Sequence, residues 1–175
     1  MEFSHDDLTK IAEKWLLSRC GFAFRELNTM SQETPDAIGF RMDGSILVEC
    51  KTSRSDFHAD KKKSFRRCPW QGVGLFRFFL CPSGIINPDD LPEKWGLLYV
   101  NEKGKVRKQV GPKGNIWSKN TEWMFLERNI QNETNLMYSA LRRLQIQGVM
   151  PLIYEKYRKK TSNLTGHKPD RRRYE

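Results

Sequence analysis

Residues 35 to 52 read PDAIGFRMDGSILVECKT, two apolar-rich runs on either side of Asp43-Gly44. Asp-Gly supplies the positive φ angles of a tight turn, so the two runs are predicted to be neighbouring antiparallel strands. Side chains alternate faces along a strand, which puts Ile46, Val48 and Cys50 on one side and Leu47, Glu49 and Lys51 on the other. An apolar strand therefore ends in a carboxylate and an ammonium that share a face. The partner run begins at Pro35-Asp36, and folding back at the turn brings Asp36 to the same edge as Glu49.

The rest of the chain supplies elements to surround this hairpin. Ser4 with Asp7 three residues on is a capping box, and Leu8, Ile11, Ala12, Trp15 and Leu16 recur at helical spacing, predicting a first helix over about 5–18. Gly21 ends it and FAFREL follows as a short strand, with 28–34 as loop. After the hairpin, Ser53 or Ser55 caps a helix across DFHADKKKSFRR that Pro69 stops. GLFRFFLC, WGLLYV and KVRKQV are further strands, the last two joined by a turn near 101–105. From about Thr121 to Gln147 the apolar spacing is helical, with NETNL as a candidate interruption and Gly148 as a stop. Helix, strands, helix, strands, helix is a mixed α/β domain. One domain over 1–155 is expected, with a core at about 5–110, a helical extension at about 118–155, and 156–175 as a flexible basic tail.

Composition narrows the partners. Lys and Arg outnumber Asp and Glu 31 to 21 in the 175 residues, a net charge of +10. A basic domain of this size suits a polyanion, most often nucleic acid, because cations near phosphates release condensed counterions. The longest apolar runs are far short of a bilayer span and the first residues lack the pattern of a signal peptide, so a cytoplasmic location, in a bacterial cell or phage-infected host, is the expectation. Cys20, Cys50, Cys68 and Cys81 form no C-x-x-C pair, which argues for ordinary thiols.

Two carboxylates beside a lysine have a coherent chemistry. Mg²⁺ is held by one or two carboxylates and takes its remaining ligands from water and substrate phosphate. Such an ion activates a water and neutralises charge on a phosphodiester, and a nearby ammonium stabilises the attack. Asp36 and Glu49 are thus candidate metal ligands and Lys51 a candidate catalytic cation.

Pro35-Asp36, twelve intervening residues, then Glu49-Cys50-Lys51 resembles the P-D…(D/E)-x-K core of the PD-(D/E)XK nuclease superfamily. A narrower likeness is to MmcB-like DNA-repair nucleases and related phage proteins, whose E-x-K-x-S-x-x-D-F-x-x-D-x-K pattern is matched by Glu49, Lys51, Ser53, Asp56, Phe57, Asp60 and Lys62. The likeness covers about Leu8 to Val100. It implies a restriction-endonuclease-like mixed sheet flanked by helices. It also implies a Mg²⁺-dependent endonuclease acting on DNA in repair, recombination or phage DNA metabolism, with Mn²⁺ able to substitute and products bearing 5′-phosphate and 3′-hydroxyl ends. The alternatives are a DNA-binding or recombination accessory protein of the same fold that does not cut, and an RNA-processing nuclease. Nucleases of this kind that cut both strands often pair, so a homodimer through the C-terminal helices is a further hypothesis.

The remaining candidates divide by position. A third acid is expected from Glu26, in a strand where the narrower group also carries one, or from Glu13 on the first helix. Lys61, Lys62, Lys63, Arg66 and Arg67 form a predicted basic helix that, with Ser53, would position phosphates. Asp56 and Asp60 lie one helical turn apart and either orient Lys51, cap backbone groups or are simply solvated. His58 is a candidate phosphate contact, though a surface histidine in a charged helix is more often a bystander. Trp70, after two arginines, is a candidate base contact.

Overall fold

The structure is a computed structural model that describes residues 3–29, 33–118 and 120–154. It divides into two compact units, residues 1–139 and 140–175. The division falls between residues 139 and 140. The basic tail at 156–175 lies outside the described residues.

The first unit is built on six strands in sequential order: β1 (Phe22–Arg25), β2 (Ala37–Arg41), β3 (Gly44–Cys50), β4 (Phe76–Pro82), β5 (Trp95–Val100) and β6 (Val106–Val110). β1, β2 and β3 are antiparallel, β3, β4 and β5 parallel, and β6 antiparallel again. Arg41 opposes Gly44, so the tight turn is Met42-Asp43, one residue earlier than Asp-Gly suggests. Gly44 alone supplies the positive φ, at 148°, and its absent Cβ leaves room for Leu75.

Alternation along β3 holds, but both faces are covered. Helix α1 (His5–Leu17) starts at Ser4, whose hydroxyl caps the Asp7 amide while Asp7 returns the bond to the Ser4 amide. Its apolar stripe, Leu8, Ala12, Trp15 and Leu16, packs on Ile46, Val48, Cys50, Phe76, Phe78 and Leu80. On the opposite face Phe79 stacks on Trp95 at 4.3 Å between centroids and meets Phe57 edge-on at 5.1 Å. Parallel strands covered on both sides read as continuous apolar runs, as β4 and β5 do. Gly96 is the tightest point of this packing, since a Cβ there would overlap the Phe78 ring. Gly96→Ala is expected to cost about 1–3 kcal/mol by overpacking, read as a lowered thermal midpoint; an unchanged midpoint would show that the Phe78 ring yields freely.

Between β3 and β4 the single predicted helix is broken. α2 (Arg54–Asp60) is capped by Ser53 and ends at Asp60, and α3 (Ser64–Arg67) is one turn. Lys61 and Lys63 are therefore cap residues and Lys62 lies between them, so no basic helix carries the three lysines. Asp60 and Arg66 turn inward together, and that is the physical reason for the break. A short 3-10 helix, Pro69–Gln71, leads into β4.

The C-terminal helix is shorter at its start and unbroken. α4 runs Ile130–Ile146 straight through NETNL, preceded by a 3-10 turn at Thr121–Trp123. Glu133 fixes its first turn: one carboxylate oxygen accepts from Ser45 Oγ at 2.6 Å, the Gly74 amide at 2.9 Å and Arg128 Nε at 3.0 Å. In the second unit α4 closes at Gly148, with the Gly148 amide donating to the Gln145 carbonyl and the Val149 amide to that of Leu144.

Candidate functional site

The hairpin register decides where the acids meet. Ala37 opposes Val48, so Asp36, the residue before β2, lies beside Glu49 near the end of β3. One Asp36 oxygen accepts from the Cys50 amide at 2.7 Å. Burial raises the Asp36 carboxyl, and the nearby charge of Glu49 raises it further, to about 6, while the Cys50 amide and Lys51 only partly offset the rise. Burial is the larger cause of that elevation, and the neighbouring carboxylate adds to it.

Lys51 follows β3 and is almost fully buried. Its ammonium lies 3.1 Å from Asp60, 3.6 Å from Glu49 and 4.0 Å from Asp56. Burial pulls it down, but Glu49, Asp60, Asp36 and Asp56 together hold it above its ordinary value. It is a permanent cation here, not a base. Asp60 feels the opposite balance: burial would raise it, and Arg66 and Lys51 hold it at about 2.

Arg66 corrects an expectation. Its side chain is 5% exposed, and it reaches Asp60 at 2.6 Å, Glu33 at 2.7 Å and Glu49 at 3.0 Å. A guanidinium engaged by three carboxylates has no charge left for a phosphate, so Arg66 is an internal counter-ion. Its plane also lies over Trp95, 4.8 Å from the centroid. Its NH2 group forms no directed hydrogen bond. Neither Glu49 oxygen takes part in a hydrogen bond among the described residues, although the side chain is only 2% exposed. Glu49 is thus compensated in charge by Arg66, Lys51 and Lys63.

Glu33 completes the cluster and was missed by sequence reasoning. Its second oxygen accepts from the Val73 amide at 2.8 Å, and burial raises its proton affinity against the pull of Arg66. No periodicity or motif marks it, because it sits in a loop between elements.

The other candidates fall into place unevenly. Lys63 remains half exposed and pairs with Asp60 at 2.9 Å and Glu49 at 3.9 Å. Lys61, Lys62 and Arg67 are exposed, as a phosphate contact requires. Ser53 is occupied as the cap of α2, accepting from the Asp56 amide at 3.1 Å. His58 is exposed on α2. Of the two third-acid candidates, Glu13 is turned to Arg25 at 3.4 Å. Glu26 lies nearer the pair: its amide donates to the Asp36 carbonyl at 3.1 Å, and it holds a φ of 48°, uncommon for a residue with a side chain. His5, which sequence reasoning did not single out, bridges them at 3.4 Å from Asp36 and 3.7 Å from Glu26.

Within the cluster Glu33, Glu49 and Asp60 lie against Lys51, Lys63 and Arg66, while the ion pair that Asp36 makes among the described residues is with the half-exposed His5. Among the described residues no group of three or more His, Cys, Asp or Glu is arranged to hold a metal. Two hard oxygen donors suit an ion that keeps several waters, and Mg²⁺ is such an ion.

The sheet and its helices define the class, a mixed α/β fold, and no described helix is long and apolar enough to cross a membrane. No family model matches the chain, and no curated protein does. A solved structure of a protein of unknown function from Silicibacter pomeroyi is similar over 90% of this chain and 100% of that one, with a TM-score of 0.55 and 18% identity. At that identity the likeness is one of fold.

Proposed function

We propose that the chain is a divalent-metal-dependent phosphodiesterase of the PD-(D/E)XK type, acting on DNA as an endonuclease. The observation that carries this proposal is the meeting of Asp36, Glu49 and Lys51 at the end of β2 and β3, with the Asp36 carboxyl raised to about 6 by burial and by Glu49. The helix, three antiparallel strands and helix-linked parallel strand resemble the restriction-endonuclease-like arrangement and support it further.

Each residue then has a role its surroundings permit. Asp36 and Glu49 offer carboxylate oxygens to Mg²⁺ or Mn²⁺. When bound, the ion lowers the pKa of a water and neutralises negative charge on the scissile phosphate. Lys51, kept protonated, donates to the attacking water and stabilises the charge that develops on the phosphate oxygens. Asp60 and Asp56 hold that ammonium in position. Arg66 balances the Glu49 charge.

Linear duplex, single-stranded, flapped and junction DNA incubated with Mg²⁺ provide the test. Cleavage is expected with the native chain and a loss of about a hundredfold or more in Asp36→Asn and Lys51→Met, with EDTA abolishing it. Equal cleavage by native chain and variants would sink the proposal.

One observation favours a second reading, a DNA-binding protein that does not cut: Glu49 is already surrounded by three cations. Calorimetric titration separates the two. Mn²⁺ binding that is lost in Asp36→Asn favours the nuclease, and salt-sensitive DNA binding indifferent to metal favours the binding protein.

A further inference from the structure

Trp70 is 55% exposed in the short 3-10 helix that follows the site's cation-rich turn. Among the described residues its ring meets no aromatic or cationic partner and its indole N–H finds no acceptor. Among the described residues Trp70 is the one tryptophan that is exposed, and its ring is among the largest apolar groups a chain has to cover.

The backbone beneath it is held with uncommon care. Arg77, buried near the start of β4, forms no ion pair with a carboxylate among the described residues, and burial depresses its guanidinium to about 10. It spends its donors on this segment instead: NH2 on the Pro69 carbonyl at 2.8 Å and the Gly72 carbonyl at 3.0 Å, and Nε on the Gly74 carbonyl at 3.1 Å. The Gly72 carbonyl also accepts from the Asn129 amide at 2.9 Å, and the Val73 amide donates to Glu33. A segment whose backbone is fixed on both sides needs little loop ordering on binding.

Its neighbours set the ligand chemistry. Arg66, four residues earlier, lies in the acid cluster, while Lys61, Lys62, Lys63 and Arg67 on the same stretch are exposed. An exposed aromatic face beside exposed cations is how unpaired nucleic acid is gripped, bases stacking on the ring while cations take the phosphates. A paired duplex hides its base faces and gives such a ring nothing to stack on.

We propose that Trp70 is a stacking platform for an unpaired base, and that the substrate is single-stranded DNA or DNA with an unpaired segment at the scissile phosphate. This rests on the nuclease proposal for its reaction but not for its binding. The test is fluorescence anisotropy with a labelled single strand and a labelled duplex of equal length, in EDTA so that no cleavage intervenes. Trp70→Ala is expected to weaken single-strand binding about 5- to 100-fold and duplex binding less than twofold, with Trp70→Phe keeping most of the affinity. Equal losses on both DNAs, or none, would overturn it. So would unchanged DNA binding together with altered self-association, which would assign the ring to a protein contact. If the single-strand effect holds and no DNA is cut with Mg²⁺, the substrate inference stands and the nuclease proposal falls.

Discussion

Arg66→Met is expected to destabilise the chain by about 3–5 kcal/mol, the cost of removing one partner from a buried ion cluster. Arg66 is the common cation of Glu33, Glu49 and Asp60, none of them more than 2% exposed. Met preserves much of the apolar stem against Trp95 but leaves two positive charges, Lys51 and half-exposed Lys63, against three buried carboxylates. Lowering the pH should then recover stability, because the stranded acids take up protons they did not need before. Thermal unfolding followed by circular dichroism from pH 8 to 5 checks both parts. A loss below about 1 kcal/mol, or one insensitive to pH, would show that the cluster is not held by this guanidinium. Arg66→Lys should fall between, since one ammonium cannot span three acceptors in the way a planar fork does.

Asp36→Asn is expected to act in the opposite direction. The folded-state carboxyl titrates at about 6, above the ordinary 3.8. A raised value means that the folded chain prefers the protonated acid. Its contribution is therefore fully present below about pH 4 and lost as pH rises through 6. The difference of roughly two units corresponds to about 3 kcal/mol at neutral pH and above. Asn keeps the oxygen that accepts from the Cys50 amide and removes the charge. The variant should melt roughly 6–12 °C above the native chain at pH 8 and level with it at pH 4. A variant less stable at pH 8 would mean that the carboxylate is needed for the fold rather than borne at its expense. Gain of stability with loss of cleavage in the same variant would mark Asp36 as a residue kept for chemistry.

Much of the fold was legible because it follows from local rules. The Ser4–Asp7 box fixed the start of α1, and β2 and β3 followed from their apolar runs and the turn between them. Alternation along β3 put Glu49 and Lys51 on one face, and the hairpin register put Asp36 beside them. What was not legible depends on contacts distant in sequence. Arg66 reads as one more cation in a basic run, and only the folded chain turns it inward to Glu33, 33 residues away. His5 likewise reads as the first residue of a capped helix. The break between α2 and α3 and the unbroken course of α4 through NETNL were both decided by burial, of Asp60 in one case and of Asn132, Glu133 and Leu136 in the other.

The strand at the far margin of the sheet bears on how the positive charge is used. Among the described residues β6 pairs with β5 alone, so it forms an edge of the sheet, and a strand edge is a template on which a second chain can add a strand. Arg107 and Gln109 point outward from it, with Lys103 and Lys105 exposed on the approach. Bringing two such borders together would set like charges side by side at strand spacing. Part of the positive charge thus lies along a strand edge, where like charges brought directly opposite one another would oppose pairing between copies.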